Sequence, residues 1–341
     1  MSARLALVLA LVAALLGGCG GGDEQHDAMS ARGDGGGTLA EVPGIYSSLE
    51  ASVVAVIVRA GGARGEGSGV VVRPDKIVTN NHVVEGADEV SVALASGERL
   101  DARVIAGAPL TDLAVLDVAR DDLPVPRFAG GQPEVGSLAV AIGNPLGFES
   151  SVTAGIVSGI DRSIPSGGET PALVGLIQTD APISPGNSGG ALVGADREVV
   201  GINVAYIPPR ARAVAIGFAI PAPTVTSVVT ALLQDGEVDH PYLGVQLRPV
   251  TAEIADSLGL PVDGGAAVSA IAFNGPAYRA GIRPGDIIIE IADRQVRAVE
   301  DVYGELRESG APGRDVELEL LRGGQRRSVT VTLGRRPRSG G

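Results

Sequence analysis

Cysteine is all but missing from this chain. Cys19 is the single one, so no disulfide can form within the chain and packing must hold the fold. Aromatic residues are nearly as scarce, at 3%, with no tryptophan, while glycine (50) and proline (22) are plentiful. With many Val and Ala, that balance points to short strands and tight turns rather than long helices. Positive charge is in deficit, and the net charge of -13 argues against a nucleic-acid surface and against a polybasic membrane patch. Histidine occurs three times, as His26, His82 and His240, so an imidazole role has few candidates.

Long apolar runs are also lacking. The one unbroken run, Leu5 to Leu16 behind Arg4, is shorter than the roughly 20 residues that span a bilayer, which favours a signal peptide. It ends in Leu16-Gly17-Gly18-Cys19, which resembles a bacterial lipobox, and implies a signal over residues 1–18 and a lipid anchor on Cys19. The alternative is an ordinary cleaved signal holding an incidental cysteine. Residues 19–43 are rich in Gly, Asp and Ala without apolar periodicity and read as a flexible tether.

From Ile45 to Pro223 come short apolar runs, among them Val53-Arg59, Ile77-Thr79, Leu113-Val118, Ala139-Ile142 and Val199-Asn203. Their length and spacing suggest an all-β sandwich or barrel over residues 44–236, closed by a helix from Pro223 to Leu233. A smaller α+β unit is expected over residues 240–335, with strands at Leu243-Leu247, Ala267-Ile271, Ile287-Ile291, Asp315-Leu321 and Arg327-Leu333. Its helices are expected at Thr251-Leu258 and Val299-Glu308, and residues 336–341 read as a frayed tail.

The chemistry gathers in three places. Gly186-Asn187-Ser188-Gly189-Gly190 sets a serine among glycines, where backbone N–H groups can converge on one spot. Gly186, Asn187 and Ser188 are the expected oxyanion site, with the N–H groups of Gly186 and Ser188 its natural donors. A Gly-rich turn joining two strands could hold a serine for no catalytic reason. His82, after Thr79-Asn80-Asn81, is expected at a strand end near the surface, and it is the lone histidine of the β-rich unit. Asp112, before Leu113-Val118, is either a turn residue or the carboxylate that orients His82. The serine motif also fits the nucleophile elbow of α/β-hydrolases, but that fold wants an acid and a histidine after the serine in an alternating α/β chain. The order His, Asp, Ser excludes it. No metal or cofactor is called for.

Thr79-Asn80-Asn81-His82-Val83-Val84, Thr111-Asp112-Leu113-Ala114-Val115-Leu116, Gly143-Asn144-Pro145, the 186–190 motif and Gly217-Phe218-Ala219-Ile220-Pro221 together resemble the HtrA/Deg serine proteases. The resemblance implies a mainly β fold, with two six-stranded barrels of the chymotrypsin type and the triad His82, Asp112 and Ser188 in the cleft between them. It implies that Arg162 is an activating arginine beside a regulatory loop at Ser163-Pro171. Ile183, Ala205, Tyr206 and Ile207 match positions lining the primary specificity pocket, which would take small aliphatic residues. Tyr242-Leu243-Gly244-Val245 resembles the carboxylate-binding loop of PDZ domains, and Gly281-Ile282-Arg283-Pro284-Gly285-Asp286 their later turn.

The expected function is an ATP-independent serine endopeptidase of the bacterial cell envelope that cuts unfolded or damaged proteins. C-terminal peptides would bind the PDZ domain and regulate it. The resemblance further suggests a homotrimer. The alternatives are a regulatory protease with one signalling substrate, and a chaperone or binding scaffold with minor proteolysis.

Overall fold

The computed structural model describes residues 38–144, 151–164, 172–184, 186–204, 216–257 and 259–336. Helix α1 (Val42–Leu49) begins with Pro43 in its first turn, where the missing N–H costs nothing, and buries Ile45 and Leu49. It starts inside the expected tether. Six strands follow: β1 (Val53–Ala60), β2 (Ala63–Arg73), β3 (Lys76–Thr79), β4 (Glu89–Ala93), β5 (Arg99–Ala108) and β6 (Leu113–Val118). A four-residue helix α2 (Asn81–Val84) lies between β3 and β4. The strands close into a barrel in the order β1-β2-β3-β6-β5-β4.

A second six carries the chain onward: β7 (Leu138–Gly143), β8 (Ser151–Ile164), β9 (Leu173–Thr179), β10 (Ala191–Val193), β11 (Val199–Val204) and β12 (Gly217–Pro221). They close as β10-β11-β12-β9-β8-β7, which is the strand order of the first barrel repeated. Helix α3 (Ala222–Asp235) then crosses back and ends at Gly236, as its sequence suggests.

Each barrel has its own interior. Val54, Val56, Leu116 and their neighbours fill the first, and Ala139, Ile177 and Leu192 the second. A larger cluster lies between them, joining Val70, Val78 and Leu113 of one barrel to Val140, Ile142 and Ile202 of the other, with Ile45 of α1 and Leu232 of α3. Each such fully buried side chain contributes roughly 1.5–3 kcal/mol, so this shared core fixes the barrels against one another. Strand β5 escapes a sequence reading because most of its RLDARVIAGA residues are exposed, the charged Arg99, Asp101 and Arg103 among them. Its place is fixed by pairing with β4 and β6.

The remaining chain forms a small α+β unit. Strands β13 (Pro241–Tyr242), β14 (Val245–Val250), β15 (Gly265–Ile271), β16 (Ile287–Ile291), β17 (Arg294–Gln295), β18 (Asp315–Arg322), β19 (Gln325–Thr332) and β20 (Gly334–Arg335) alternate with helices α4 (Ala252–Ser257), α5 (Pro276–Arg279) and α6 (Val299–Ser309). The main sheet runs β14-β15-β16-β18-β19, and β13 pairs with β20 apart from it. The turn at Gly281–Asp286 is pinned by Asp286, which is 1% exposed and accepts from the Arg283 N–H and both Nε and Nη2 of Arg322.

Candidate active site

Strand β3 pairs with β6, with Thr79 opposite Ala114, so the chain leaving β3 and the chain entering β6 meet at one end of the first barrel. His82 lies three residues beyond Thr79, and Asp112 two before Ala114. His82 is in the first turn of α2 rather than at the strand end. Its Nδ1–H donates to Asp112 Oδ2 at 2.7 Å, and its backbone N–H donates to Oδ1 of the same carboxylate at 2.9 Å. The tautomer is assigned from that first bond, which leaves Nε2 as the basic nitrogen. Asp112 itself sits at φ +53, a left-handed conformation that Asp tolerates better than most residues. Its carbonyl accepts from the Asn81 N–H at 3.1 Å and from Asn80 Nδ2 at 3.0 Å, which locks the two turns together.

Burial disfavours the imidazolium of His82. The hydrogen bond and charge of Asp112, with a smaller contribution from Glu85, outweigh it and raise the pKa above the ordinary imidazole value. The side chain of Asp112 is 11% exposed against 46% for His82, as suits an acid held inside and a base open to a cleft.

Ser188 is 5% exposed and lies in the turn that enters β10 of the second barrel. Ser188, Gly186 and His82 line one cavity of about 450 Å³, whose further walls include Arg64, Glu66 and Glu85. Gly189, at φ +83, admits no side chain, since a Cβ there would lie 2.1 Å from the Ser68 carbonyl oxygen. Its N–H donates to the Asn203 carbonyl, and the Asn203 N–H returns a bond to Gly190. The Asn187 carbonyl accepts from the Gly190 N–H at 3.0 Å. Because C=O and N–H of a trans peptide point oppositely, the Ser188 N–H is directed away from Gly190 and out of the turn. The Asn187 N–H, by contrast, donates to the Ser184 carbonyl at 2.9 Å. It is already engaged, and the expected oxyanion set contracts to Gly186 and Ser188.

Ile183 is buried and packs on the backbone of Gly217. Ala205, Tyr206 and Ile207 lie outside the described residues, as do Cys19 and most of the segment Ser163-Pro171. Arg162 is on β8, opposite Leu176, with its guanidinium folded over Gly159. Sequence reasoning missed Ser68, Thr79 and Asn203 as supports of the nucleophile turn. The available signal was Ser68 between Gly67 and Gly69, since glycines inside a strand mark close backbone approach.

In the smaller unit, Tyr242 is on β13 and Val245 opens β14. The Leu243 carbonyl accepts from the Ala277 N–H and the Gly244 carbonyl from the Ala272 N–H, both at 2.9 Å. The N–H groups of Gly244 and Val245 therefore point the other way. This loop lines a cavity of about 260 Å³ with Leu247 and with Val302 and Leu306 of α6. Leu110, Thr111 and Val174 of the barrels close its far side, and Arg307 of α6 donates to the Val174 carbonyl.

Residues 67–202 match the trypsin-like peptidase domain family and residues 241–333 the PDZ domain family. The solved HtrA-type protease AlgW with a tripeptide is 34% identical, with a TM-score of 0.71 over 87% of this chain and 97% of that one. The chain belongs to the HtrA family of serine proteases. Among curated HtrA relatives it is 41% identical over 278 residues to a probable periplasmic serine endoprotease DegP-like from Halomonas elongata, covering 81% of this chain and 58% of that protein. It is 38% identical over 281 residues to the putative serine protease HhoB of Synechocystis, covering 80% of this chain and 67% of that one. It thus spans little more than half the length of the DegP-like relatives.

Proposed function

We propose that this HtrA-family chain is a serine endopeptidase in which Ser188 attacks, His82 moves the proton and Asp112 orients His82. The observation that carries the reading is the pair of hydrogen bonds from His82 to Asp112, at 2.7 and 2.9 Å, beside a cavity that His82 shares with Ser188. His82 Nε2 takes the hydroxyl proton as Ser188 Oγ bonds to the scissile carbonyl carbon, and the oxyanion forms against the N–H groups of Gly186 and Ser188. Collapse breaks the C–N bond, and the leaving amine takes the proton from His82. Water then repeats the sequence on the acyl-enzyme, releasing the acid and regenerating Ser188. Asp112 stays ionised throughout and stabilises the imidazolium.

The inward carbonyls and outward N–H groups at Leu243–Val245 support capture of a peptide C-terminal carboxylate, with the peptide adding along β14. The walls that Leu110, Thr111 and Val174 add to that groove support regulation of the protease by what binds there. The substrates are unfolded or damaged proteins of the bacterial envelope. Relatives named periplasmic endoproteases support that compartment. Lipidation of Cys19, assembly as a homotrimer, the activating role of Arg162 and the aliphatic pocket at Ile183 and 205–207 complete the proposal.

Labelling by a fluorophosphonate, with casein hydrolysis as the activity, tests it. Wild type should be labelled at Ser188 and should cleave casein, and Ser188→Ala should do neither while still binding a C-terminal peptide. Undiminished proteolysis by Ser188→Ala would sink the assignment.

A further inference from the structure

The nucleophile turn needs bracing. Glycines flank it at Gly186 (φ +98) and Gly189 (φ +83), so its own backbone is soft, and a chain with one cysteine has no internal disulfide to stiffen it. The brace comes from the opposite barrel. Ser68, on β2, has no exposed surface, and all its polar groups are used around the turn. Its N–H donates to the Ser188 carbonyl at 2.7 Å, and its carbonyl accepts from Thr79 Oγ1 at 2.7 Å. Its Oγ accepts from the Asn144 N–H at 2.9 Å and donates to the Gly186 carbonyl at 2.6 Å.

The bond to Gly186 has a chemical consequence. The Gly186 carbonyl and the Asn187 N–H share one trans peptide plane and point in opposite directions. The Asn187 end of that plane is held by Ser184 within the second barrel, and the Gly186 end by Ser68 of the first. Since Ser68 is wholly buried, a carbonyl bonded to it faces the protein interior rather than the cavity that Ser188 lines. Without that bond, the glycine-flanked plane is free to rotate and present a carbonyl oxygen where negative charge develops. Such a rotation replaces attraction by repulsion in the transition state.

We infer that Ser68 is a positioning residue for the oxyanion turn, acting through the Gly186 carbonyl and never touching substrate. The inference rests on the reading of Ser188 as nucleophile, and it assigns a first-barrel side chain to the electrostatics of a second-barrel turn.

The test uses the full chain with Ser68→Ala and Ser68→Cys, the latter keeping side-chain size with a weaker donor. Fluorescein-labelled casein gives kcat and KM, and a peptide aldehyde ending in valinal, which forms a charged tetrahedral adduct, gives KI. Ser68→Ala should lower kcat roughly 10- to 100-fold, less than loss of a direct donor, with KM within about threefold. The aldehyde KI should rise by the same factor as kcat/KM falls, and the acid limb of the pH profile, set by His82, should stay in place. Ser68→Cys should fall between wild type and Ser68→Ala. A merely structural role would leave the aldehyde KI of the folded variant unchanged, and that result overturns the inference. If Ser68→Ala does not fold, wild-type kcat and aldehyde affinity in Ser68→Cys overturn it instead. A wild-type chain that takes no fluorophosphonate at Ser188 contradicts the underlying protease reading, whereas a labelled wild type with an unaffected Ser68→Ala contradicts the Ser68 role alone.

Discussion

The two barrels repeat one strand order, yet they hold their parts of the site in different ways. In the first, His82 and Asp112 come from turns at one end of the paired strands β3 and β6. The hydrogen bonds that join His82 to Asp112, and those that tie Asn80 and Asn81 to the Asp112 carbonyl, are made inside that barrel. In the second, the Gly186–Gly190 turn depends on both barrels. Asn203 of β11 holds Gly189 and Gly190, while Ser68 of β2 holds Gly186 and Ser188. The His82–Asp112 pair is thus held within one barrel and the Gly186–Gly190 turn at the interface between the two, which on the proposed reading separates proton transfer from the oxyanion site. Changes to the interface should damage the turn without touching the pair, and changes to the pair should leave the turn formed.

Removing the nucleophile has the largest expected effect. Ser188→Ala should cost roughly 10⁶-fold in kcat on casein, because members of a triad act as one unit. Asp112→Asn should cost roughly 10⁴-fold in kcat by losing the correct tautomer. It should also shift the acid limb. Protonated His82 is favoured by the Asp112 carboxylate, so the wild-type limb lies above the ordinary imidazole pKa. In Asp112→Asn only the smaller contribution of Glu85 is left against burial, and the limb moves down. The same linkage gives a stability sign. The raised His82 pKa contributes stability that is present below the unfolded-state value and is lost as pH rises through the folded one.

Gly189→Ala should sharpen the contrast at the interface. A Cβ 2.1 Å from the Ser68 carbonyl, at φ +83, should lower stability by about 2 kcal/mol or more and reduce kcat, with the acid limb unmoved. Thermal unfolding and a pH–rate profile on one preparation check both. The smallest effect on hydrolysis is expected from Asp286→Ala, in the PDZ domain. It leaves Arg322 without its buried partner and should destabilise the PDZ domain by about 3 kcal/mol, measured by denaturant titration. C-terminal peptide binding should weaken, while fluorophosphonate labelling of Ser188 persists. Burial opposes ionisation of Asp286, but Arg322 and the Arg283 N–H prevail and hold its carboxyl below the usual range. Its contribution is therefore present above the unfolded-state pKa and is lost as pH falls through the folded one.

The pairing of His82 with Asp112 was legible in the sequence because the residue types concerned are few. One histidine in the β-rich unit and an aspartate opening an apolar strand left little choice, and the pairing of β3 with β6 supplied the distance. The strands themselves were visible where they are apolar, as in Val53–Ala60, and invisible where they are solvent-facing, as in Arg99–Ala108. His82 was expected at a strand end and lies in a helical turn, since four residues are too few for a helical period to register. The supports of the nucleophile turn were illegible for a different reason. Ser68 and Asn203 act through contacts 118 residues away or across a strand pair, and a buried serine in a valine-rich strand has no local signature beyond its flanking glycines. Asn187 looked like an oxyanion donor by position alone. Only the bond of its N–H to Ser184 removes it.

The measurement closest to the central claim is the pH dependence of fluorophosphonate labelling at Ser188, in wild type and in Asp112→Asn. Wild-type labelling should rise with pH along a limb above the ordinary imidazole pKa. Asp112→Asn should label far more slowly, with the limb displaced downward. Labelling in wild type that ignores pH across the imidazole range, or that proceeds equally in Asp112→Asn, would contradict a nucleophile in one barrel driven by a base and acid in the other.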